Sequence, residues 1–328
     1  MTASERLVRM MKRIYDADMT TTSGGNLSIR DEDGSIWITP AGIDKGTLTP
    51  EDVVHVLADG TVIGKHRPSS EYPFHKHMYE VRPDFGGIVH AHPAGLVGFS
   101  LSRVLPKTDW VKKPEEICGT MRMAPYDLPG STELGDKVAG EFVEGTYCVM
   151  LENHGVVCGG ATLEEAFLRF ETAELNARFQ LNCALLGGAQ AYDKSLPRKE
   201  GEPLAGTEVF PEDDAVKAAR ENLAAFIVRS VKKQLFSAAV GSFSVKLGED
   251  DFLMQASGCD RMLVTPESLV RVKGGKAEAG KAAGGSWTLH REIYRRFPQF
   301  GSVTLSQPAA SMAFASTDTV YDTHTIPE

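Results

Sequence analysis

The chain of 328 residues has the composition of an ordinary globular protein, with 42% hydrophobic and 24% charged residues, which excludes disordered and fibrous classes. Its length exceeds that of a typical single domain and predicts two domains, each large enough to bury a core. A formal net charge of −9, without a stripe rich in lysine and arginine, argues against a nucleic-acid-binding protein.

The N-terminal segment predicts an amphipathic helix. One face of this helix carries Leu7, Val8, Met11, Ile14 and Tyr15. The segment lacks an apolar core of signal-peptide length, and no run of about eighteen apolar residues occurs, so we expect no targeting or membrane-spanning segment. Five cysteines without a C-x-x-C pair predict free thiols in a reducing compartment, hence a cytoplasmic protein.

The next elements are two strands with a helix between them. SIWIT (35–39) and GGIVHAH (86–92) are predicted strands because they are apolar and rich in β-branched residues. SSEYPFHKHMYEVRP (69–83) predicts a short helix that begins at the two serines and carries Glu71 in its first turn. It stops before Pro83, since proline cannot continue a helix.

Two further strands and a long helix follow. TYCVMLENHGVVCGG (146–160) predicts a strand, a polar break at 152–155 and a second strand. A capping box at Thr162 opens a helix that ends at Gly187-Gly188. Because strands and helices are interspersed without strict alternation, we expect an α/β fold with helices on both faces of a mixed sheet.

The chain also repeats itself at a nearly constant offset, which predicts a duplicated domain. An offset of 216 residues relates Ser28 to Ser244, Gly42 to Gly258 and Asp44 to Asp260. After a slip of one residue, an offset of 215 relates His75 to His290, Tyr79 to Tyr294 and Pro93 to Pro308. We therefore predict a first copy at 1–193, a polar, proline-containing linker at 194–214, and a second copy at 215–328. The second copy has no counterpart of residues 110–188 and is predicted to be degenerate and truncated.

Differences between the two copies distinguish architectural residues from candidate functional residues. The second copy has Ser286, Leu305 and Gln307 where the first has Glu71, His90 and His92. Residues present in both copies are expected to be architectural, whereas residues of the first copy alone are candidates for function. His75, which is retained as His290, is therefore predicted to be structural.

Three histidines form the candidate metal site. His90 and His92 lie two residues apart in a strand, so their side chains project from the same face, about 6.5–7 Å apart along the chain. A catalytic metal needs a third protein ligand, and His154 in the polar break between two strands supplies a candidate. Imidazoles select zinc, iron, nickel or copper over magnesium.

A carboxylate and a glycine-rich turn accompany these histidines. Glu71, close to such a metal, could take and return a proton. The backbone of SGGN (23–26) and the hydroxyls of Ser69 and Ser70 suggest an anion site, to which ITPAG (38–42) could contribute.

Five motifs together resemble the class II aldolase/adducin family, which includes fuculose-phosphate and rhamnulose-phosphate aldolases and ribulose-5-phosphate 4-epimerase. In chain order these are SGGNLS, ITPAG, PSSE, HAH and ENHG, within a likeness that covers about residues 5–185. The resemblance implies a three-layer α/β/α fold with a mixed central sheet, duplicated in this chain. It implies one zinc ion, held in the N-terminal domain by His90, His92 and His154, with Glu71 as the acid/base. It also implies that the substrate phosphate is held by Ser23, Gly25, Asn26, Gly42, Ser69 and Ser70.

Two positions depart from the family pattern. Ala41 stands where several phosphate-using relatives have a hydroxyl residue, and Trp110 stands where the aldolases have a tyrosine that assists proton transfer. Tyr126 is a nearby substitute. Members commonly form fourfold rings with active sites at subunit boundaries, so the resemblance also implies a homo-oligomer, in which two tandem chains would make a pseudo-tetramer.

The resulting expectation is a metal-dependent lyase that cleaves or forms a C–C bond in a small, phosphorylated keto-sugar through a zinc-stabilised enediolate. Two alternatives stay open: an epimerase or decarboxylase of the same family, and a non-enzymatic, adducin-like assembly module. The expected partner is a small sugar phosphate or hydroxy-keto acid, with no nucleic acid and no membrane.

Overall fold

The computed structural model describes residues 1–190, 195 and 201–324. These residues divide into two compact units, the first formed by the chain up to 190 together with 313–324, and the second by 195 and 201–312. A short helix, α9 (Ala309–Ala315), contains the residues at which the division falls.

The first unit is built on an eight-stranded mixed sheet. Its strands are β1 (Asn26–Arg30), β2 (Ile36–Ile38), β3 (Val54–Val56), β4 (Val62–Ile63), β5 (Gly87–Ala91), β6 (Arg122–Ala124), β7 (Cys148–Leu151) and β8 (Val156–Gly160). They lie in the order β4-β3-β2-β1-β5-β8-β7-β6. The pairs are antiparallel except for β6 and β7, which are parallel.

Helices cover both faces of this sheet and complete three layers. They are α1 (Ala3–Asp16), α2 (Tyr72–Val81), α3 (Ala94–Leu101), α4 (Lys112–Cys118), α5 (Thr132–Glu141) and α6 (Leu163–Leu185). α1 and α6 pack against the sheet on one face, with α3 and α4 against α6, whereas α2 and α5 pack together on the other face. The predicted three-layer α/β/α fold with a mixed sheet is thereby confirmed.

Helix α2 is fixed by the core beneath it. Phe74 and Met78 are almost fully buried and pack with Ile38, Ile88 and Val157 of the sheet. Burying side chains of this size contributes about 1.5–3 kcal/mol each. Because α2 begins at Tyr72, Glu71 is its N-cap residue rather than part of its first turn.

The long helix α6 begins after Thr162, as the sequence predicts, but the predicted capping box is only half formed, because the Glu165 carboxylate accepts the N–H of Ala161 instead of that of Thr162. The side chain of Thr162 accepts the backbone N–H of Glu165, and Gly187, just past the end, has a left-handed φ of +94°. Among the helices that the structure describes, none combines the length and the apolar character needed to cross a membrane.

The second unit contains a seven-stranded sheet. Its strands are β9 (Leu204–Glu208), β10 (Ser242–Gly248), β11 (Asp251–Met254), β12 (Val270–Lys273), β13 (Lys276–Glu278), β14 (Ala282–Ala283) and β15 (Ser302–Leu305). The order is β14-β9-β13-β12-β11-β10-β15. Two helices, α7 (Asp214–Lys232) and α8 (Trp287–Arg296), contribute to separate apolar clusters on this sheet.

Both units share one topology over their common elements. The order β13-β12-β11-β10-β15 repeats β4-β3-β2-β1-β5, and each of these neighbouring pairs is antiparallel. The register repeats as well, since Asn26 lies opposite His90 and Ser242 lies opposite Leu305. These equivalences follow the sequence offsets and support the predicted duplication.

The described part of the predicted linker is not all irregular. Within 201–214, residues Leu204–Glu208 form β9, which pairs in parallel with β13 and antiparallel with β14. Residues 191–194 and 196–200 lie outside the described chain. The domain boundaries at 193 and 214 stay a prediction.

Candidate active site

His90 and His92 occupy the end of β5. His90 lies inside the strand, fully buried and opposite Asn26 of β1, and His92 follows the last strand residue, Ala91. Residues two apart in an extended chain share a face. Their ring centroids are accordingly only 4.9 Å apart.

A tight turn between β7 and β8 carries His154. The Leu151 N–H donates to the Gly155 carbonyl (2.8 Å), the His154 N–H donates to the Leu151 carbonyl (3.0 Å), and Asn153 takes a left-handed φ of +56°. Since β8 pairs with β5, this turn lies beside the end of β5. The His154 ring centroid is 5.0 Å from that of His90 and 4.8 Å from that of His92.

The three imidazoles together fit a metal ion. One nitrogen of each ring lies within 4.8 Å of the nitrogens of the other two. Nε2 of His90 and Nε2 of His92 are buried without a hydrogen-bond partner in the described part of the chain. An unpaired buried polar atom costs free energy, and coordination of a metal ion would remove that cost. His90 Nδ1 lies 2.9 Å from the carbonyl oxygen of Val156, which can only accept, so Nδ1 carries the proton and Nε2 the lone pair.

Electrostatics keep two of the rings neutral. Burial and the neighbouring imidazoles lower the pKa of His92 to about 3, and burial with His90 lowers the pKa of His154 to about 4. Burial also disfavours the charged form of His90, but the Glu71 carboxylate outweighs it and raises the His90 pKa above its ordinary value. Neutral imidazole is the form that binds a metal, and a cation would replace any proton on His90.

The Glu71 carboxylate faces this cluster. Its side chain is buried, with Oε2 3.2 Å from His90 Nε2, outside hydrogen-bond geometry, and Oε1 3.7 Å from His154 Nε2. Oε2 accepts a 2.6 Å hydrogen bond from the amide of Asn26, whereas Oε1 has no hydrogen-bond partner among the residues that the structure describes. Burial tends to raise the pKa of Glu71, but His90, Asn26 and His154 together lower it, so the group is an ionised base.

A buried chain of hydrogen bonds orients the Asn26 amide. Tyr79, Ser28 and His75 form this chain, with 2.8 Å between Tyr79 OH and Ser28 Oγ and 2.7 Å between Ser28 Oγ and His75 Nδ1. His75 Nε2 then donates to Asn26 Oδ1 over 2.5 Å. Both ring nitrogens of His75 are thus engaged within the protein, and burial lowers its pKa to about 3. The amide of Asn26 positions Glu71, and its predicted contact with a phosphate stays a prediction.

The second unit retains this chain of hydrogen bonds but lacks the carboxylate and the imidazoles of the candidate site. Ser244, His290 and Tyr294 repeat the hydrogen bonds of Ser28, His75 and Tyr79, at 2.6 and 2.7 Å. Ser286 stands at the position of Glu71 and contacts Ser242 at 2.7 Å. The shared part is therefore scaffold.

Two predicted phosphate-site glycines have left-handed backbones. Gly25 has a φ of +74°, and a Cβ there would lie 2.8 Å from the His90 carbonyl oxygen. Gly42 has a φ of +70°. Side chains are strained in this region of φ, so both turns favour glycine.

The loops that carry the predicted phosphate-site serines adjoin these turns. Pro40 pairs with Pro68 in an isolated β-bridge, and the Ser69 N–H donates to the Thr39 carbonyl over 3.2 Å. Ser69 is buried and its Oγ accepts the N–H of Glu71 at 3.3 Å, whereas Ser70 and Ser23 are exposed. Their contact with substrate stays a prediction.

Trp110 and Tyr126, the positions that the sequence analysis compared with the tyrosine of aldolases, have different surroundings. The Trp110 ring packs edge-on against Phe179 of α6, with centroids 6.4 Å apart. Tyr126 is half-exposed, and its backbone N–H donates to Glu152 of the turn that carries His154. A role for Tyr126 stays a prediction.

Sequence reasoning missed two glycines that enclose the His92 ring. A Cβ on Gly24 would lie 2.7 Å from His92 Nδ1, and a Cβ on Gly155 would lie 2.7 Å from His92 Cδ2 and 2.6 Å from the Ala91 carbonyl oxygen. The two glycines lie in the motifs SGGN and ENHG, but nothing in the sequence shows that they face the same imidazole ring.

We expect Gly155→Ala to displace His92 or the His154 turn, and so to weaken metal binding about 10- to 100-fold, the usual effect of disturbing a ligand's support. Competition of the purified variant against a metal-binding dye measures this. The matched control is Gly140→Ala on α5, where a Cβ meets no atom within 4 Å. Unchanged metal affinity in Gly155→Ala would show that the ring has room to move.

Comparisons with known proteins agree with this geometry. The sequence profile described as "Class II Aldolase and Adducin N-terminal domain" matches residues 5–181 and again 221–326. The second match falls on the segment that repeats the β1–β5 topology.

Individual relatives match a little more than half of the chain. It is 34% identical over 205 residues to the 5-deoxy-D-ribulose 1-phosphate aldolase of Bacillus thuringiensis, covering 61% of this chain and 92% of that protein. It is 30% identical over 178 residues to the 3-oxo-tetronate 4-phosphate decarboxylase of Haemophilus influenzae, covering 53% and 84%. A solved L-fuculose 1-phosphate aldolase superposes with a TM-score of 0.53 at 30% identity, covering 58% of this chain and 91% of that one.

Proposed function

The chain belongs to the class II aldolase and adducin family, and we propose that it is a metal-dependent lyase that cleaves or forms a C–C bond in a small, phosphorylated keto-sugar. The aldolases and the decarboxylase among its relatives support an enzyme of this general type.

One observation carries the proposal. Three imidazoles meet at the end of β5 with two buried, unpartnered Nε2 atoms, and the ionised, partly unpartnered Glu71 lies 3.2 Å from one of them. A non-enzymatic assembly module would not need this set. We propose His90, His92 and His154 as the ligands, with zinc as the preferred metal.

A metal bound there would supply Lewis-acid polarisation of the substrate's carbonyl oxygen. Glu71 moves the proton. In the synthetic direction its carboxylate removes a proton from the carbon next to the carbonyl, and in the cleavage direction it returns the proton to that carbon when the C–C bond breaks. The Asn26 amide holds Oε2 of Glu71. Oε1, which accepts no hydrogen bond from the described chain, is left to carry the proton.

The glycine turns and the serines orient the substrate in this proposal. Backbone N–H groups near Gly25 and Gly42 and the hydroxyls of Ser69 and Ser70 would hold the phosphate, as such donors do in other proteins. Fixing the far end of the substrate places its reacting carbon against Glu71 and reduces the entropic part of the barrier.

A second candidate is decarboxylation or epimerisation by the same groups. The decarboxylase among the relatives favours it, and the family resemblance adds that Trp110 stands where the aldolases have a tyrosine. The site would then act on a hydroxy-keto acid or an isomeric sugar phosphate, with a different proton donor.

The test combines metal analysis with product identification. Mass spectrometry of the purified protein should find close to one zinc per chain, and a chelator should abolish turnover that added zinc restores. NMR spectroscopy of a panel of keto-sugar phosphates and hydroxy-keto acids should find an aldehyde fragment, rather than an epimer or carbon dioxide. Full activity in the metal-free protein would contradict the proposal.

Association of whole chains into a homo-oligomer stays a prediction. Light scattering of active protein is the measurement, and a monomeric mass would exclude it.

A further inference from the structure

Lys45 is a buried cation beside the predicted phosphate site to which neither the sequence motifs nor the proposed mechanism gives a role. Its side chain is only 2% exposed. Its backbone N–H donates to the Thr22 carbonyl over 2.8 Å, and its Nζ donates to the Pro40 carbonyl over 2.9 Å. Lys45 therefore lies between the turn that precedes Gly25 and the loop that contains Gly42.

The ammonium is incompletely satisfied. It has three donors, and the Pro40 carbonyl accepts one of them. Over residues 1–190, 195 and 201–324, no carboxylate forms an ion pair with it. Buried charges are normally paired, because an unpaired charge in a low-dielectric interior is costly.

Other buried cations of the chain obey this rule. In the described chain, Arg82, Arg169, Arg220 and Arg271 are also buried, at 7 to 9% exposure. Each of them has a carboxylate partner, at 2.6 to 2.7 Å. Among these buried cations, Lys45 alone lacks a carboxylate partner. It also contacts the loops next to Glu71.

The second unit, which lacks the candidate active site, also has a cation at the position equivalent to Lys45. Arg261 is the counterpart of Lys45, and its N–H donates to Ala238, the counterpart of Thr22. Its guanidinium donates to the carbonyls of Ala238, Gly241 and Cys259, so it braces the loops directly. Lys45, in contrast, contacts the loops through the Pro40 carbonyl alone, so N–H groups of its ammonium stay available for a ligand.

The charge of Lys45 persists near neutral pH. Burial lowers its pKa to about 8, and the Glu71 carboxylate opposes that shift, which places both charges in one electrostatic environment. At pH 7 most of the ammonium is protonated. An anion entering between the loops would complete its hydrogen bonds and its charge balance together.

We propose that the Lys45 ammonium binds the phosphate group of the substrate, supplying the positive charge of the anion site. The inference rests on the proposed function, since it takes the phosphate of a keto-sugar phosphate as the ligand. It also accounts for Ala41, because a charged donor replaces the hydroxyl that this loop lacks.

Inorganic phosphate is the probe, titrated calorimetrically into the metal-loaded protein. We expect Lys45→Met to bind phosphate at least tenfold more weakly than the wild type, because the variant loses a charge-assisted hydrogen bond (tenfold is about 1.4 kcal/mol). The matched control, Lys65→Met, removes an exposed lysine with the same change in net charge and should bind as the wild type does.

A pH series shows whether the Lys45 ammonium binds phosphate directly or only supports the loops. As the pH rises through the Lys45 pKa of about 8, the ammonium loses its proton, so wild-type affinity should fall while the weak affinity of Lys45→Met stays nearly constant. The other titratable or charged groups near Lys45 are Glu71 at the start of α2, Asp44 in its own loop, and Tyr15 of α1, whose ring lies against Gly46. Because Lys45→Met retains them all, any pH effect of theirs would persist in the variant.

Three results would overturn the inference: equal affinities in wild type and Lys45→Met, a loss of affinity with rising pH that is as large in the variant as in the wild type, or no binding of phosphate to the wild type. The proposed function fails separately, if no substrate of the panel undergoes C–C cleavage while phosphate binding still depends on Lys45. In that case an anion site remains without the lyase.

Discussion

Replacing His92 by alanine should remove the metal and abolish turnover. The substitution leaves two imidazoles, from β5 and from the turn after β7, where a catalytic metal typically needs three protein ligands. We expect at least a hundredfold loss of metal affinity, beyond the usual effect of changing a residue that only supports a ligand. Metal content after dialysis and turnover on the identified substrate measure the two losses.

The control for His92→Ala is His77→Ala. His77 lies on α2, and its Nδ1 is 3.0 Å from Asp136 at the surface, so its loss should alter neither metal content nor turnover. Thermal unfolding in the presence of a chelator shows whether His92→Ala still folds. Retention of one metal per chain and of turnover in a folded His92→Ala protein would mean that this imidazole is not a ligand.

Replacing Glu71 by glutamine should abolish proton transfer while the metal stays bound. Glutamine keeps the shape of the side chain and can still accept the Asn26 hydrogen bond, but it cannot take a proton from carbon. General-base catalysis typically contributes 10²- to 10⁴-fold, so we expect a loss of about that size in kcat. Exchange of substrate protons with deuterated solvent, followed by NMR, measures the step itself.

Glu80→Gln is the matched control for Glu71→Gln. Glu80 is exposed on the same helix and should be replaceable without effect on activity or metal content. Metal analysis is decisive for interpretation, because loss of metal from Glu71→Gln would make Glu71 a ligand rather than a base. Wild-type exchange of protons in Glu71→Gln with its metal bound would assign the base to another group.

The second copy provides an internal comparison for these predictions. Its Ser244, His290 and Tyr294 preserve the scaffold hydrogen bonds, while Ser286 and Leu305 replace the carboxylate and an imidazole. Loss of the reactive groups from one copy left the topology intact, which indicates that the fold does not depend on them.

Local patterns in the sequence were sufficient for the elements and for part of the site. The alternation of a strand placed His90 and His92 on one face, the capping box at Thr162 gave the start of α6, and the offsets near 216 gave the common topology of the two units. These features depend on neighbouring residues or on comparison of the chain with itself. Glu71 was located to within one residue of its place at the start of α2.

Contacts between distant segments were decided by the tertiary structure. The register of β5 against β8 brings His154 to the other imidazoles, and packing of α2 on the sheet brings Glu71 to them. The same packing sets the amide of Asn26 against Glu71 and encloses the His92 ring between Gly24 and Gly155. It also leaves Lys45 as a buried cation without a carboxylate partner among the described residues. The sequence by itself therefore determined which residue types carry the chemistry, because backbone geometry fixes the direction of side chains a few residues apart. Strand order, strand register and the packing of α2 on the sheet decided which of them meet, because these set the distances between residues tens of positions apart.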